Sequence, residues 1–71
     1  MDRFSVVFYK RENEKLVIER RVTRDHWRPC KNMVHYYVGH ERYPEIVGAA
    51  AYDGETLIAS NGEIPLSGIV P

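Results

Sequence analysis

The chain has 71 residues, with ten Lys or Arg against ten Asp or Glu and three His, so its formal net charge is zero. A chain this short makes one small domain over residues 1–71 and buries only ~60% of its unfolded surface, leaving little interior for a deep catalytic cavity. Hydrophobic residues (44%) and charged residues (28%) are in globular proportion, which argues against wholesale disorder, and no run approaches the roughly 18 apolar residues of a membrane span.

The first element is the segment FSVVFYK at residues 4–10, dense in β-branched and aromatic side chains, with Phe4, Val6 and Phe8 on one face of an extended strand. A wholly polar stretch, RENEK at 11–15, separates it from LVIERRV at 16–22. Period-two alternation places Leu16, Ile18, Arg20 and Val22 on one face of that second strand, and the pair reads as a hairpin with a charged tip.

Residues 23–32 (TRDHWRPCKN) follow as a loop. Thr23 or Asp25 is suited to cap a helical turn there, but Pro29 biases Arg28 towards extended geometry and keeps any helix short. MVHYYV at 33–38 again reads as strand, and residues 39–44 as a polar turn. Two patterns compete over 44–53. Pro44, the alanines and Gly54 suit a helix, whereas Asp53-Gly54 and Asn61-Gly62 are hairpin signals at regular spacing. The hairpin signals favour strands at 46–52 and 55–60, followed by an extended tail at 62–70 that Pro65 confines to an edge. The expected fold is mostly β, a five- to six-stranded antiparallel meander or a small SH3-like or OB-like barrel. The alternative is an α+β fold with a helix near 44–53.

Charge is unevenly distributed along the chain. Residues 1–31 carry nine Lys or Arg against five acids, and residues 32–71 carry Arg42 against five. A basic binding face, or subunits complementary head to tail, would produce such asymmetry. The single cysteine, Cys30, permits no internal disulfide, and the charged N-terminal stretch does not read as a secretory signal. The expected location is cytoplasmic, or the host cytoplasm if the protein is virus-encoded.

Four residues, His26, Cys30, His35 and His40, have nitrogen or sulfur donors, but their spacings match neither CxxC nor HxxxH knuckles and Pro29 opposes a helical pairing. No metal and no cofactor is therefore expected. Cys30 between Arg28 and Lys31 resembles an activated thiol only superficially, since catalysis needs a positioned base and an oxyanion site as well. GxSxG, GxGxxG and GxxxxGK[ST] are all absent, and the chain is read as non-enzymatic.

Two binding readings remain. Trp, Tyr and Arg dominate interface hot spots, and residues 24–43 supply Arg24, His26, Trp27, Arg28, Tyr36, Tyr37, Arg42 and Tyr43. The leading expectation is a small protein-binding module, an inhibitor or regulator of a partner protein such as mobile-element and phage chains provide. The alternative is a nucleic-acid-binding regulator in which Arg20, Arg21, Arg24, Arg28 and Lys31 neutralise phosphates and Trp27 stacks on a base. A pI near 6.8 counts against that alternative. A homodimer through an edge strand, or through the apolar tail of Ile64, Leu66, Ile69 and Val70, is also compatible with the sequence. Which reading holds turns on whether Trp27 is core or exposed.

Overall fold

In a computed structural model, residues 3–65 are described. They form β1 (Phe4–Glu12), β2 (Lys15–Arg24), α1 (Trp27–Tyr37), β3 (Gly48–Asp53) and β4 (Thr56–Gly62). The strands make one antiparallel sheet in the order β2-β1-β3-β4. The mostly β class therefore holds, in an α+β form with one helix on the sheet. Among the described residues the sheet is open and has four strands, fewer than the five or six expected, and part of the expected tail strand lies outside those residues. The helix lies at Trp27–Tyr37, and 48–53 is strand. No helix among the described residues is long and apolar enough to cross a membrane.

The first hairpin turns through Asn13 and Glu14, both at positive φ (53° and 68°), between the paired Glu12 and Lys15. This is the type I′ pattern, whose twist matches that of the flanking strands. Further along, Phe8 pairs with Arg20 but Tyr9 pairs with Ile18, which leaves Glu19 as a bulge. The bulge reverses the alternation of β2. Arg20, Val22 and Arg24 lie on the same face as Phe8, Val6 and Phe4, whereas Ile18 lies with Tyr9 on the opposite face. The single continuous face expected for Leu16, Ile18, Arg20 and Val22 does not exist.

The segment expected to be loop and then strand is instead one helix. His26 is its N-cap, with extended backbone, and its Nδ1 accepts the Arg28 N–H at 3.1 Å. Neither Thr23 nor Asp25 takes that role. Pro29 falls in the first turn, where its missing N–H has no intrahelical acceptor to lose. Cys30, Met33, Val34 and Tyr37 then recur at helical spacing and pack on the sheet. That burial outweighs the strand preference of MVHYYV. Gly39, at φ +80°, follows the Val38 C-cap.

The core has two layers. On the helix side, Val6, Phe8, Cys30, Val34, Ile46, Ala49 and Ala51 cluster together. The small side chains of β3 let α1 sit close to the sheet centre. Across the sheet, Val7, Tyr9, Ala50 and Tyr52 form a second buried cluster, with Leu16 and Ile64 half-buried against it. The Tyr9 hydroxyl is buried without a hydrogen bond of acceptable geometry. Burial, and secondarily the neighbouring Tyr52 phenol, push its pKa up to about 12.

The second hairpin turns at Gly54 (φ +61°), between paired Asp53 and Thr56. Asn61-Gly62, expected to be another turn, instead ends β4. Gly62 (φ +73°) faces Gly48, and the Asn61 side chain donates to the Val34 carbonyl of the helix at 3.3 Å. Residues 63–65 continue without regular structure, and the rest of the expected tail strand, with Leu66, Ile69 and Val70, lies outside the described residues.

Candidate functional site

Trp27 is surface-exposed, at 41% of its full accessibility, on the first turn of α1. The His26 ring stacks on it at 5.8 Å between centroids, and the charged ends of Arg28 and Lys31 each lie 5.4 Å from the indole centre. Cations over an indole face are attracted by its quadrupole and hold the ring in place. Trp27 borders a shallow depression with Phe4 of β1, Ile58 of β4 and Lys31, whose rim carries Arg3 and Asp53. Arg3 grips Asp53 through two hydrogen bonds of 2.5 and 2.9 Å, and that partner raises the guanidinium pKa. Ile58 is the bulged residue of β4, since Ala51 pairs with Ala59 and Tyr52 with Leu57. The bulge leaves it 36% exposed beside Leu57.

The opposite flank of α1 borders a second depression, a groove of about 200 Å³ between the helix and β2. Phe8, Val22, Met33, Tyr37 and Ile46 supply its apolar surfaces, while Arg20, Arg24, Glu19 and Glu45 supply charge. The Tyr37 ring is wedged edge-on between Phe8 (5.2 Å) and Tyr43 (4.8 Å). Both tyrosines are half-buried and serve packing as much as recognition.

The residues expected to act together at 24–43 are thus divided. Trp27 and Tyr36 are nine positions apart on one helix, roughly half a turn out of phase at 3.6 residues per turn. His26, Trp27, Arg28 and Lys31 gather at the N-terminal end. Tyr36, exposed at 55%, stands at the other end, against Tyr37 and His40. Arg42 lies in the following loop, its N–H donating to His40 Nδ1 at 3.1 Å. Arg24 lines the groove, and Arg21 lies on the far face of the sheet, opposite Val7. Arg20, Arg21, Arg24, Trp27, Arg28 and Lys31 therefore do not form one track. Sequence reasoning missed Arg3, Phe4, Asp53 and Ile58, which reach Trp27 only through strand pairing.

Among the described residues, no three His, Cys, Asp or Glu side chains gather closely enough to hold a metal ion. The Nδ1 atoms of His26 and His40 accept backbone N–H groups, and Cys30 is buried, its thiol 3.5 Å from the His26 carbonyl. Burial pushes the Cys30 pKa up, against a smaller opposing effect of Arg24, so the unreactive thiol form is favoured. Around Trp27 the exposed groups are an indole, aliphatic neighbours and a cationic rim. No family model, no curated protein and no solved structure matches the chain.

Proposed function

We propose that this chain is a small, non-enzymatic protein-binding module that docks a partner protein on the depression around Trp27. One observation carries the reading: the only tryptophan is exposed on a rigid helix, steadied by Arg28 and Lys31, beside exposed Ile58. An aromatic anchor next to aliphatic neighbours, with basic residues around it, is the arrangement that concentrates binding energy at protein interfaces. The complementary partner surface offers an apolar contact bordered by carboxylates. A module of this size acts by occupying that surface, which makes inhibition or regulation of the partner its natural role. The nucleic-acid reading has less support, because its six residues are spread over both sheet faces and the net charge is zero.

The test is affinity capture from a cell extract, with and without nuclease, using the wild type, Trp27→Ala and Arg28→Glu. The expected result is a partner retained after nuclease treatment and lost with both variants. Arg28 is exposed, so Arg28→Glu keeps the wild-type melting curve and guards against a Trp27→Ala variant that merely loosens. Retention by both variants, or loss of the partner on nuclease treatment, overturns the reading.

A further inference from the structure

The two edges of the sheet, β2 and β4, are not alike. Arg21 and Thr23 of β2 already have partners. On β4 the Glu63 N–H bonds the Val47 carbonyl, and alternation along the strand then turns the backbone groups of Ser60 and Gly62 outward. Among the described residues nothing bonds them there. The strand, TLIASNG, also carries no charge and no proline, two of the devices that keep a sheet edge from accepting a further strand. Its bulge re-aims Ile58 into the Trp27 depression. A strand laid along β4 therefore sets a side chain next to Ile58, at the mouth of that depression. The charges around the mouth are uneven. Arg3 is neutralised by Asp53, whereas Arg28 and Lys31 have no ion pair among the described residues.

We propose that the partner docks as an extended acidic strand paired with β4, with an aliphatic side chain beside Ile58 and Trp27 and a carboxylate two residues away facing Lys31. The inference rests on the reading of the Trp27 depression as the docking site and adds how the partner enters it. Residues two apart on a strand share a face, so the guest needs the pattern acid–x–aliphatic. Main-chain bonds to the outward groups of β4 supply affinity, and the depression selects the side chain. Charge decides among occupants. A second copy would present its own β4, which holds no carboxylate and leaves Arg28 and Lys31 unmet. A basic strand would be repelled by the same two cations.

The probe is a fluorescein-labelled peptide with the core Glu-Thr-Leu-Thr-Glu, which reads the same in either strand direction, followed by fluorescence anisotropy at low salt. Saturable binding is expected, weakened about tenfold or more by Trp27→Ala and by Lys31→Glu. Ser60→Pro removes an outward N–H that the sheet itself does not use, on an exposed edge position where proline is tolerated. It abolishes binding and keeps the fold, as circular dichroism checks. Methylating the peptide's backbone nitrogens makes the same test without altering the protein, and a Lys-Thr-Leu-Thr-Lys peptide does not bind. Binding that needs Trp27 but survives both Ser60→Pro and methylation overturns the strand pairing and leaves the docking site standing. Binding indifferent to Trp27→Ala and Lys31→Glu overturns the proposal, as does absence of saturation at millimolar peptide; partner capture by the wild type judges the docking site separately. Dimerisation in sedimentation that Ser60→Pro abolishes overturns it in favour of a second copy.

Discussion

Gly48→Ala tests how the two hairpin ends lock together. Gly48 opens β3, paired with Tyr9 on one side and Gly62 on the other. A Cβ at this position would lie 1.6 Å from the Glu63 carbonyl oxygen, 2.5 Å from its carbon and 2.8 Å from its nitrogen. Ordinary contact begins at 3.4 Å, and the obstructing atoms are backbone, which has no rotamer to swing away. The 63–65 segment must retreat by more than an ångström. That breaks the 2.9 Å hydrogen bond from the Glu63 N–H to the Val47 carbonyl and loosens Ile64 from the Tyr9–Tyr52 cluster. A lost hydrogen bond of about 1 kcal/mol plus overpacking of about 1–3 kcal/mol gives a cost of roughly 2–4 kcal/mol. Against a total of ~0.05–0.15 kcal/mol per residue, this is a large share of the stability of a chain this size. Urea denaturation followed by far-ultraviolet circular dichroism reads it as a lower midpoint. Gly39→Ala is the comparison: nothing lies within 4 Å of its Cβ, and the cost comes only from φ +80°, about 1–2 kcal/mol. A Gly48→Ala variant within about 0.5 kcal/mol of wild type, or no worse than Gly39→Ala, would refute the close approach of Glu63.

Tyr9→Phe removes a buried hydroxyl with no satisfactory partner and raises the melting temperature at neutral pH, by the equivalent of up to about 1 kcal/mol. The folded Tyr9 phenol keeps its proton up to about pH 12, whereas an unfolded one loses it near pH ~10. Below about pH 10 the phenol is protonated in both states, and as pH climbs from there towards 12 only the unfolded one ionises, so the wild type loses on the order of 1–2 kcal/mol of stability; Tyr9→Phe should show a shallower alkaline decline, and parallel declines would sink the assignment. Cys30, buried and with its pKa pushed up by that burial, should react with a maleimide in the native protein far more slowly than in urea. Native labelling as fast as that of a free thiol would refute the burial of Cys30.

Much of the sheet was legible in the residues themselves. Phe4, Val6 and Phe8 face the helix as their alternation implies, and the polar 11–15 stretch is the hairpin tip. The choice of strand over helix at 46–52 rested on Asp53-Gly54 and Asn61-Gly62; the chain turns at the first, whereas the second ends β4, and the strand itself is Gly48–Asp53. The helix was hidden because Pro29 and four strand-forming residues, Val34, Tyr36, Tyr37 and Val38, point locally away from it, although Cys30, Met33, Val34 and Tyr37 already carry the helical period. Nothing local announces the Glu19 bulge, which depends on pairing with β1 and changes the faces of Leu16 and Ile18. The exposure of Trp27 was equally illegible: an indole is large enough for the core and amphipathic enough for the surface, and its neighbours Phe4, Asp53 and Ile58 come from remote strands.

Among the described residues, the pairing of β1 with β3, residues 4–9 against 48–53, joins two hairpins that otherwise form from neighbouring stretches of chain. Turns and helix can assemble rapidly from local contacts, but this seam closes only after a long loop has been brought together. The barrier to folding is therefore expected to sit at the seam and not in either hairpin. Its side chains on β3, Ala49, Ala50 and Ala51, are too small to hold a hairpin together alone; Ala49 and Ala51 gain their burial when Val6 and Phe8 arrive from β1 and α1 closes over them, and Ala50 gains its burial beside Val7 and Tyr9 on the other face. The molecule is thus built as two halves, joined by this seam and by α1 packed across it, and the 38–47 connection between them contains no strand and no part of α1.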